Sequence, residues 1–168
     1  MNATPPDAAL LRILIETKEA RCGIEVGTST GYGAVNMGIA LEKTAGHLTT
    51  IEIDPALVKA AQENIKLFGL QKTVTVVEGD ALDILPTLAG HFDFVFLDAV
   101  KSDYHKYFQN LETKLRPGAV LVADNVILSA DKMPDFLNFM KVSPDWEFVI
   151  IRASDEKGDG MAICRKIR

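Results

Sequence analysis

The chain has 168 residues, of which 48% are hydrophobic and 24% charged, which is enough apolar material for a single domain over residues 1–168. With 18 Lys and Arg against 23 Asp and Glu, its formal net charge of -5 makes a nucleic-acid partner held by a basic surface unfavourable. Two distant cysteines and the lack of an apolar run of about 20 residues argue against a disulfide framework and a membrane span, so we predict a cytoplasmic protein.

Short apolar runs alternate with stretches of helical period from residue 23 to residue 124. This alternation is typical of βαβ units around a parallel sheet. One helix, at residues 7–19, precedes the sheet. The five predicted strands of this region are residues 23–26, 48–53, 73–77, 92–97 and 119–123.

Two helices between these strands have clear sequence signals. After the second strand, Asp54 can cap a helix, Pro55 suits its first position and Gly69 suits its end. A later helix ends before a turn at residues 116–118. The predicted buried positions are Leu57, Ala61, Ile65 and Phe68 in the first helix, and Tyr104, Phe108, Leu111 and Leu115 in the second.

The pattern after residue 126 is looser. It predicts a helix at residues 134–140, a strand at 147–152, a polar loop at 153–160 and a last strand at 161–166. Two consecutive strands without a helix between them favour an antiparallel pair at the sheet edge. The sequence therefore predicts an α/β fold, a doubly wound and mostly parallel sheet of about seven strands with an antiparallel last strand.

A glycine-rich turn with the spacing G-x-x-x-G-x-G follows the first strand, at the sheet edge where such folds bind ligands. The spacing differs from the dinucleotide fingerprint G-x-G-x-x-G. A carboxylate beside it would repel a pyrophosphate but attract the sulfonium and ammonium groups of S-adenosylmethionine. The alternative is a turn that needs glycine only for steric reasons. The candidate cofactor-binding residues are Glu25, Gly27, Thr28, Ser29, Gly31, Tyr32 and Gly33.

Two further strand ends extend this candidate site. Glu52, followed by Ile53, stands where an acidic group accepts hydrogen bonds from ribose hydroxyls in adenosine-binding sheets. Gly79, Asp80 and Ala81 follow the third strand and are candidates to border the adenine ring. Alternatively, Glu52 is a solvated carboxylate without a ligand, and Asp80 caps the helix that follows it.

Asp98, which is also a candidate cofactor-binding residue, ends the fourth strand, and Asp124 and Asn125 end the fifth. Adjacent strands would place the two carboxylates about 5 Å apart, where they repel each other unless a cation lies between them. Three oxygen donors suit Mg²⁺ or another divalent cation, which keeps positions open for substrate. The alternative is that Asp98 starts the next helix and that Asp124 and Asn125 only form a turn.

Lys101 follows Asp98 by three residues and can reach the same cleft. A neighbouring cation would depress its pKa, so Lys101 could accept a proton from a hydroxyl group as the catalytic base. His105 is the competing base, although a surface histidine is the default interpretation.

Segments 25–32, 96–104, 123–126 and 158–166 resemble the metal-dependent class I S-adenosylmethionine O-methyltransferases, the family of the catechol and caffeoyl-coenzyme A enzymes. The resemblance covers nearly the whole chain and implies a Rossmann-like methyltransferase fold. It implies that Glu52 binds ribose, that Asp98, Asp124 and Asn125 hold the metal, and that Lys101 is the general base. The implied reaction is metal-assisted methyl transfer to a catechol-like small molecule.

The chain also departs from the family pattern. Gly33 replaces a frequent serine, Ala81 and Ala99 offer no polar contact to adenine, and the stretch after Asn125 lacks a tryptophan-glycine loop that shapes the acceptor pocket. The acceptor is therefore not predicted in detail. The alternatives are a tRNA wobble-hydroxyuridine methyltransferase, a nicotinamide-dependent oxidoreductase and a non-catalytic protein that binds S-adenosylmethionine. The sequence also leaves open whether two copies of the chain form a homodimer.

Overall fold

The computed structural model describes residues 3–154 and 156–168, so Asp155 of the predicted loop lies outside the described residues. Within these ranges the strands are β1 (Cys22–Val26), β2 (His47–Glu52), β3 (Val74–Glu78), β4 (Phe92–Leu97), β5 (Leu115–Ala123), β6 (Trp146–Ile151) and β7 (Met161–Lys166). They form one sheet in the order β3-β2-β1-β4-β5-β7-β6. Strand β7 runs antiparallel to β5 and β6, and the other neighbouring strands are parallel, which confirms the predicted fold class.

Helices cover both faces of the sheet. Because side chains alternate along a strand, Val95 and Leu97 of β4 join one buried cluster while Phe94 and Phe96 join the other. The helices are α1 (Pro5–Lys18), α2 (Tyr32–Lys43), α3 (Pro55–Leu67), α4 (Ala81–Thr87), α5 (Tyr104–Glu112) and α6 (Pro134–Val142). The first cluster includes residues of α4, α5 and α6, and the second includes residues of α1, α2 and α3. No helix in the described ranges is long and apolar enough to span a membrane.

Helix starts follow the local sequence. Thr4 and Asp7 form a capping box at the start of α1, in which each side chain accepts a hydrogen bond from the other residue's backbone N–H. Asp54 accepts from the N–H of Ala56 at 2.8 Å and starts α3, as predicted. Gly69, with φ +74°, follows the end of α3.

The structure corrects two helix predictions. Leu115 is the first residue of β5 and not part of α5, and residues 116–118 lie inside β5 rather than in a turn before it. The register between β4 and β5 shifts here, since Phe92 pairs with Leu115 but Phe94 with Val120. Pro117, which has no N–H, and Gly118, with φ +80°, therefore form an irregular part of the strand.

The buried face of α3 also differs from the prediction. Val58, Ala61 and Ile65 are its buried residues, whereas Leu57 is half-buried. Phe68 is 58% exposed because it follows the last helical residue and no longer continues the helical spacing.

Candidate active site

A cavity of about 320 Å³ opens at the carboxyl ends of β1, β2, β3 and β4. The chain leaves the centre of the sheet in opposite directions at β1 and β4, and this reversal is where open α/β sheets bind ligands. Eight of the thirteen predicted cofactor-binding residues line the cavity: Gly27, Ser29, Glu52, Ile53, Gly79, Asp80, Ala81 and Asp98.

The turn after β1 lies directly against the end of β4. Gly27 has φ +96°, and a Cβ atom there would stand 2.3 Å from the carbonyl oxygen of Asp98. The N–H of Ser29 donates to Oε2 of Glu52 at 2.8 Å. Gly31, with φ +88°, packs against Ala61 of α3 and is not among the residues that line the cavity. Gly31 therefore contributes to the turn and to helix packing, and its contact with a cofactor stays a prediction.

Glu25 lies in a recess of about 20 Å³ beside the cavity, with Thr28, Tyr32 and Gly33 among the lining residues. Thr50 Oγ1 donates to Glu25 Oε2 at 2.5 Å, so the hydroxyl of Thr28, 2.5 Å from Thr50 Oγ1, is the donor in that second contact. A Cβ at position 33 would stand 2.5 Å from Glu25 Oε1. The glycine therefore makes room for this carboxyl group.

Burial dominates the ionisation of Glu25. It raises the pKa from 4.5 to about 8, assisted by the negative charges of Asp98 and Glu52 and opposed by the hydrogen bond from Thr50. The recess thus holds an acid that a nearby cation would ionise.

Glu52 and Asp80 both hold backbone N–H groups at the rim of the cavity. Glu52 Oε1 accepts from the N–H groups of Ile53 and Asp54 at 3.0 and 3.1 Å. Asp80 Oδ1 accepts from the N–H of Leu82 at 2.8 Å, so it caps α4 and lines the cavity at the same time. The alternative interpretation of Asp80 as a cap is therefore correct, and it does not remove Asp80 from the site.

The sequence interpretation missed three residues of the cavity wall that includes Ala99, namely Val100, Asp103 and Tyr107. Asp103 and Tyr107 are four residues apart at the start of α5, a helical spacing that would have indicated a shared face. Burial, with the charges of Asp103 and Asp80, raises the pKa of Tyr107 to about 12. Its hydroxyl therefore stays protonated at neutral pH.

Lys101 points back to the end of β4. Its Nζ donates to Asp98 Oδ1 at 2.8 Å and to the hydroxyl oxygen of Tyr104 at 2.7 Å. The Tyr104 hydroxyl is also 2.9 Å from the carbonyl oxygen of Leu97 and 3.1 Å from that of Asp124, so it ties β4 to β5. His105, the competing base, instead packs against Phe108 and Phe139.

The end of β5 contains a buried ion pair that was not predicted. Asp124 Oδ2 accepts from Nζ of Lys157 at 2.5 Å, and Asp124 Oδ1 accepts from the N–H of Asn125 at 2.7 Å. Lys157 Nζ also donates to Asp7 Oδ2 at 3.1 Å. Burial would lower the pKa of Lys157, but Asp124 and Asp7 outweigh it and raise the pKa, so the group remains an ammonium ion.

Asn125 is held in place by Asp159. Its Nδ2 donates to Asp159 Oδ2 at 3.1 Å, while Asp159 Oδ1 accepts from the backbone N–H groups of Ile127, Leu128 and Gly160. Burial opposes ionisation of Asp159, but these donors outweigh it and lower its pKa. The loop after β5 is therefore anchored by a carboxylate that precedes β7.

This arrangement does not fit the predicted divalent cation. Both oxygens of Asp124 are hydrogen-bonded, one of them to an ammonium group, and Asp98 is paired with Lys101. The predicted set has two carboxylates and one amide, and among the residues that the structure describes no third His, Cys, Asp or Glu side chain joins the two carboxylates as a further ligand. The structure brings Asp98, Asp124 and Asn125 to adjacent strand ends, but each of the two carboxylates is paired with a lysine ammonium group.

Comparison with known proteins gives a consistent picture. A family model described as O-methyltransferase matches residues 1–167. A catechol O-methyltransferase of Niastella koreensis is 41% identical over 76% of the chain and 59% of its own length, so the chain spans about three fifths of that relative. A caffeoyl-CoA O-methyltransferase of Stellaria longipes is 28% identical over 99% of the chain and 77% of its own length.

A solved structure has the same fold. The O-methyltransferase TomG of Streptomyces achromogenes, determined in complex with SAM, superposes with a TM-score of 0.93 at 31% identity. The match covers 99% of this chain and 82% of TomG.

Proposed function

Because the chain belongs to the O-methyltransferase family, we propose that it transfers the methyl group of S-adenosylmethionine to a hydroxyl oxygen of a small catechol-like phenol. The observation that carries this proposal is the cavity at the reversal of strand order, with Glu52 on its rim and the buried carboxyl of Glu25 beside it. Catechol and caffeoyl-CoA O-methyltransferases among the relatives support the acceptor class.

The cofactor would lie across the ends of β1, β2 and β4. Glu52 would accept hydrogen bonds from the ribose hydroxyls, and the wall that includes Ala81 and Tyr107 would face the adenine ring. The methionine end would approach the recess of Glu25, where its ammonium and sulfonium groups favour the ionised carboxyl. Gly27, which packs against the backbone of Asp98, would form part of the floor under the cofactor.

The acceptor would meet the methyl group beside Lys101. In the transfer step the acceptor oxygen forms a bond to the methyl carbon, the carbon–sulfur bond breaks and S-adenosylhomocysteine leaves. Lys101 would take the proton of the attacking hydroxyl and pass one of its own to the carboxylate of Asp98, to which its Nζ donates at 2.8 Å. Holding oxygen and methyl group in line supplies much of the acceleration. No step passes through the predicted magnesium ion, because Lys157 and Asn125 already occupy the oxygens of Asp124.

The proposal is tested by incubating the full chain with S-adenosylmethionine and a panel of phenols. Mass spectrometry should detect S-adenosylhomocysteine and a methylated phenol in equal amounts. Cofactor binding without methylated product from any phenol would contradict the proposal and favour the non-catalytic alternative.

Replacement of Lys101 by alanine tests the catalytic role. We expect Lys101→Ala to lower kcat by about 10²- to 10⁴-fold, the usual contribution of a general base, with the affinity for S-adenosylmethionine unchanged. Lys106→Ala is the matched control, since this lysine lies one turn further along and forms an exposed ion pair. An equal effect of both substitutions on kcat would contradict the assignment.

A further inference from the structure

The ammonium group of Lys157 lies at the strand end where a divalent cation was predicted. We infer that Lys157 is the permanent cation of this site, so that the chain binds no divalent ion there and transfers methyl groups without one. The statement about activity rests on the proposed function, whereas the statement about metal binding does not.

Burial makes this ammonium group a fixed part of the molecule. The side chain of Lys157 is 2% exposed, that of Asp7 3% and that of Asp124 0%. A buried ammonium group needs its partners, because removing either carboxylate would leave charge without compensation in a low-dielectric interior. Lys157 is therefore held between the start of α1 and the end of β5 by both carboxylates.

The charges at the two strand ends are already balanced. Asp98 is paired with Lys101 and Asp124 with Lys157. A divalent ion at Asp124 would have to displace Lys157 from Oδ2 and would stand next to its positive charge, a like-charge contact that costs much in a buried place.

A site of this kind selects acceptors differently from a metal site. A bound ion can chelate two neighbouring oxygens of a catechol. A buried ammonium group with both partners satisfied cannot, because its side chain does not reach the surface. Phenols with a single hydroxyl should therefore be methylated at rates similar to those of catechols.

Metal binding can be measured without any methyl transfer. After removal of metals with EDTA, the full chain is titrated with Mn²⁺, and the bound ion is followed by electron paramagnetic resonance. We expect no saturable binding to the wild-type chain. Saturable binding of one Mn²⁺ that Asp124→Asn abolishes would overturn the inference, whatever the enzymatic activity is.

Substitution of Lys157 supplies the complementary test. Lys157→Met removes the ammonium group, frees Asp124 and should create a Mn²⁺ site that raises the melting temperature when Mn²⁺ is added. Because two buried carboxylates then face each other, the double variant Asp7→Asn/Lys157→Met is measured in parallel. Lys43→Met is the control, since Lys43 also pairs with a carboxylate of α1 but is exposed. Absence of a Mn²⁺ site in both Lys157 variants would contradict the inference.

Activity with and without metal completes the comparison. The initial rate of the wild-type chain should be the same in EDTA as in Mg²⁺. A metal that acts as a Lewis acid would make the loss in EDTA about a hundredfold or more, and that loss would overturn the inference. If no phenol is methylated under either condition, the proposed function fails while the Mn²⁺ titration still decides the occupancy of the site.

Discussion

At the scale of single residues, Glu25 responds most directly to its surroundings. Its carboxyl group is buried and its pKa is raised from 4.5 to about 8, mainly by burial. Between these two pH values the folded chain keeps a proton that the unfolded chain releases. Linkage then requires that the free energy of unfolding falls as the pH rises through this range. Below pH 4.5 both the folded and the unfolded chain hold the proton, so Glu25 adds nothing to the pH dependence of the free energy of unfolding.

This linkage predicts a measurable difference between two proteins. The melting temperature of the ligand-free wild-type chain should fall more steeply between pH 5 and pH 8 than that of Glu25→Gln, which has no proton to release. Differential scanning calorimetry at several pH values gives the two curves. Parallel curves would show that Glu25 is ionised in the folded chain and would contradict the raised pKa.

Site residues could be predicted from the sequence where their position depends only on neighbouring residues in the chain. Glu25, Glu52 and Asp98 stand at or next to strand ends, Lys101 follows three residues after Asp98, and strand ends follow from where apolar runs stop. Lys157 was missed because its partner Asp7 is 150 residues away in the sequence. That contact depends on how α1 is placed over the sheet, which no short pattern encodes.

At the scale of elements, the turn between β1 and α2 fixes the floor of the cavity. Gly27 and Gly90 both have φ +96°, but a Cβ at position 27 would stand 2.3 Å from the carbonyl oxygen of Asp98, whereas nothing lies within 4 Å of one at position 90. The two glycines therefore share the backbone strain of a substitution but not the steric clash.

Alanine substitutions at these two glycines separate the free-energy cost of the close contact from that of the backbone conformation. Gly90→Ala should destabilise the chain by about 1–2 kcal/mol, the cost of a left-handed alanine. Gly27→Ala should cost about 1–3 kcal/mol more because the ends of β1 and β4 must move apart. Urea unfolding measures both values. Equal losses in the two variants would mean that the turn is not packed against β4 as described.

Sequence patterns located each predicted strand except β5 to within one residue of its observed bounds. The predicted and observed bounds of β1, β2, β3 and β4 differ by one residue at most, because each apolar run is short and flanked by polar or glycine residues. In β5 the Pro117-Gly118 pair suggested a turn, but pairing of Leu115 with Phe92 extends the strand past it. Tertiary pairing therefore overrode the local signal.

At the scale of the whole molecule, the sheet order determines where a ligand can bind. The order β3-β2-β1-β4-β5-β7-β6 places the ends of β1 and β4 side by side at the reversal, and the cavity lies there. The same order brings Asp98 next to Asp124 through the pairing of Leu97 with Ala123. The fold class, the strand reversal and the candidate site are thus connected through one topology.

Binding of the cofactor is the central claim, and isothermal titration calorimetry with S-adenosylmethionine tests it most directly. We expect saturable binding of one molecule per chain to the wild-type protein, weakened about tenfold or more in Glu52→Gln, which loses a charged acceptor for the ribose hydroxyls. Glu78→Gln should bind as the wild type does, because Glu78 pairs with Glu52 in register but is exposed and does not line the cavity. Absence of binding, or an affinity that neither substitution changes, would contradict the placement of the cofactor at this cavity.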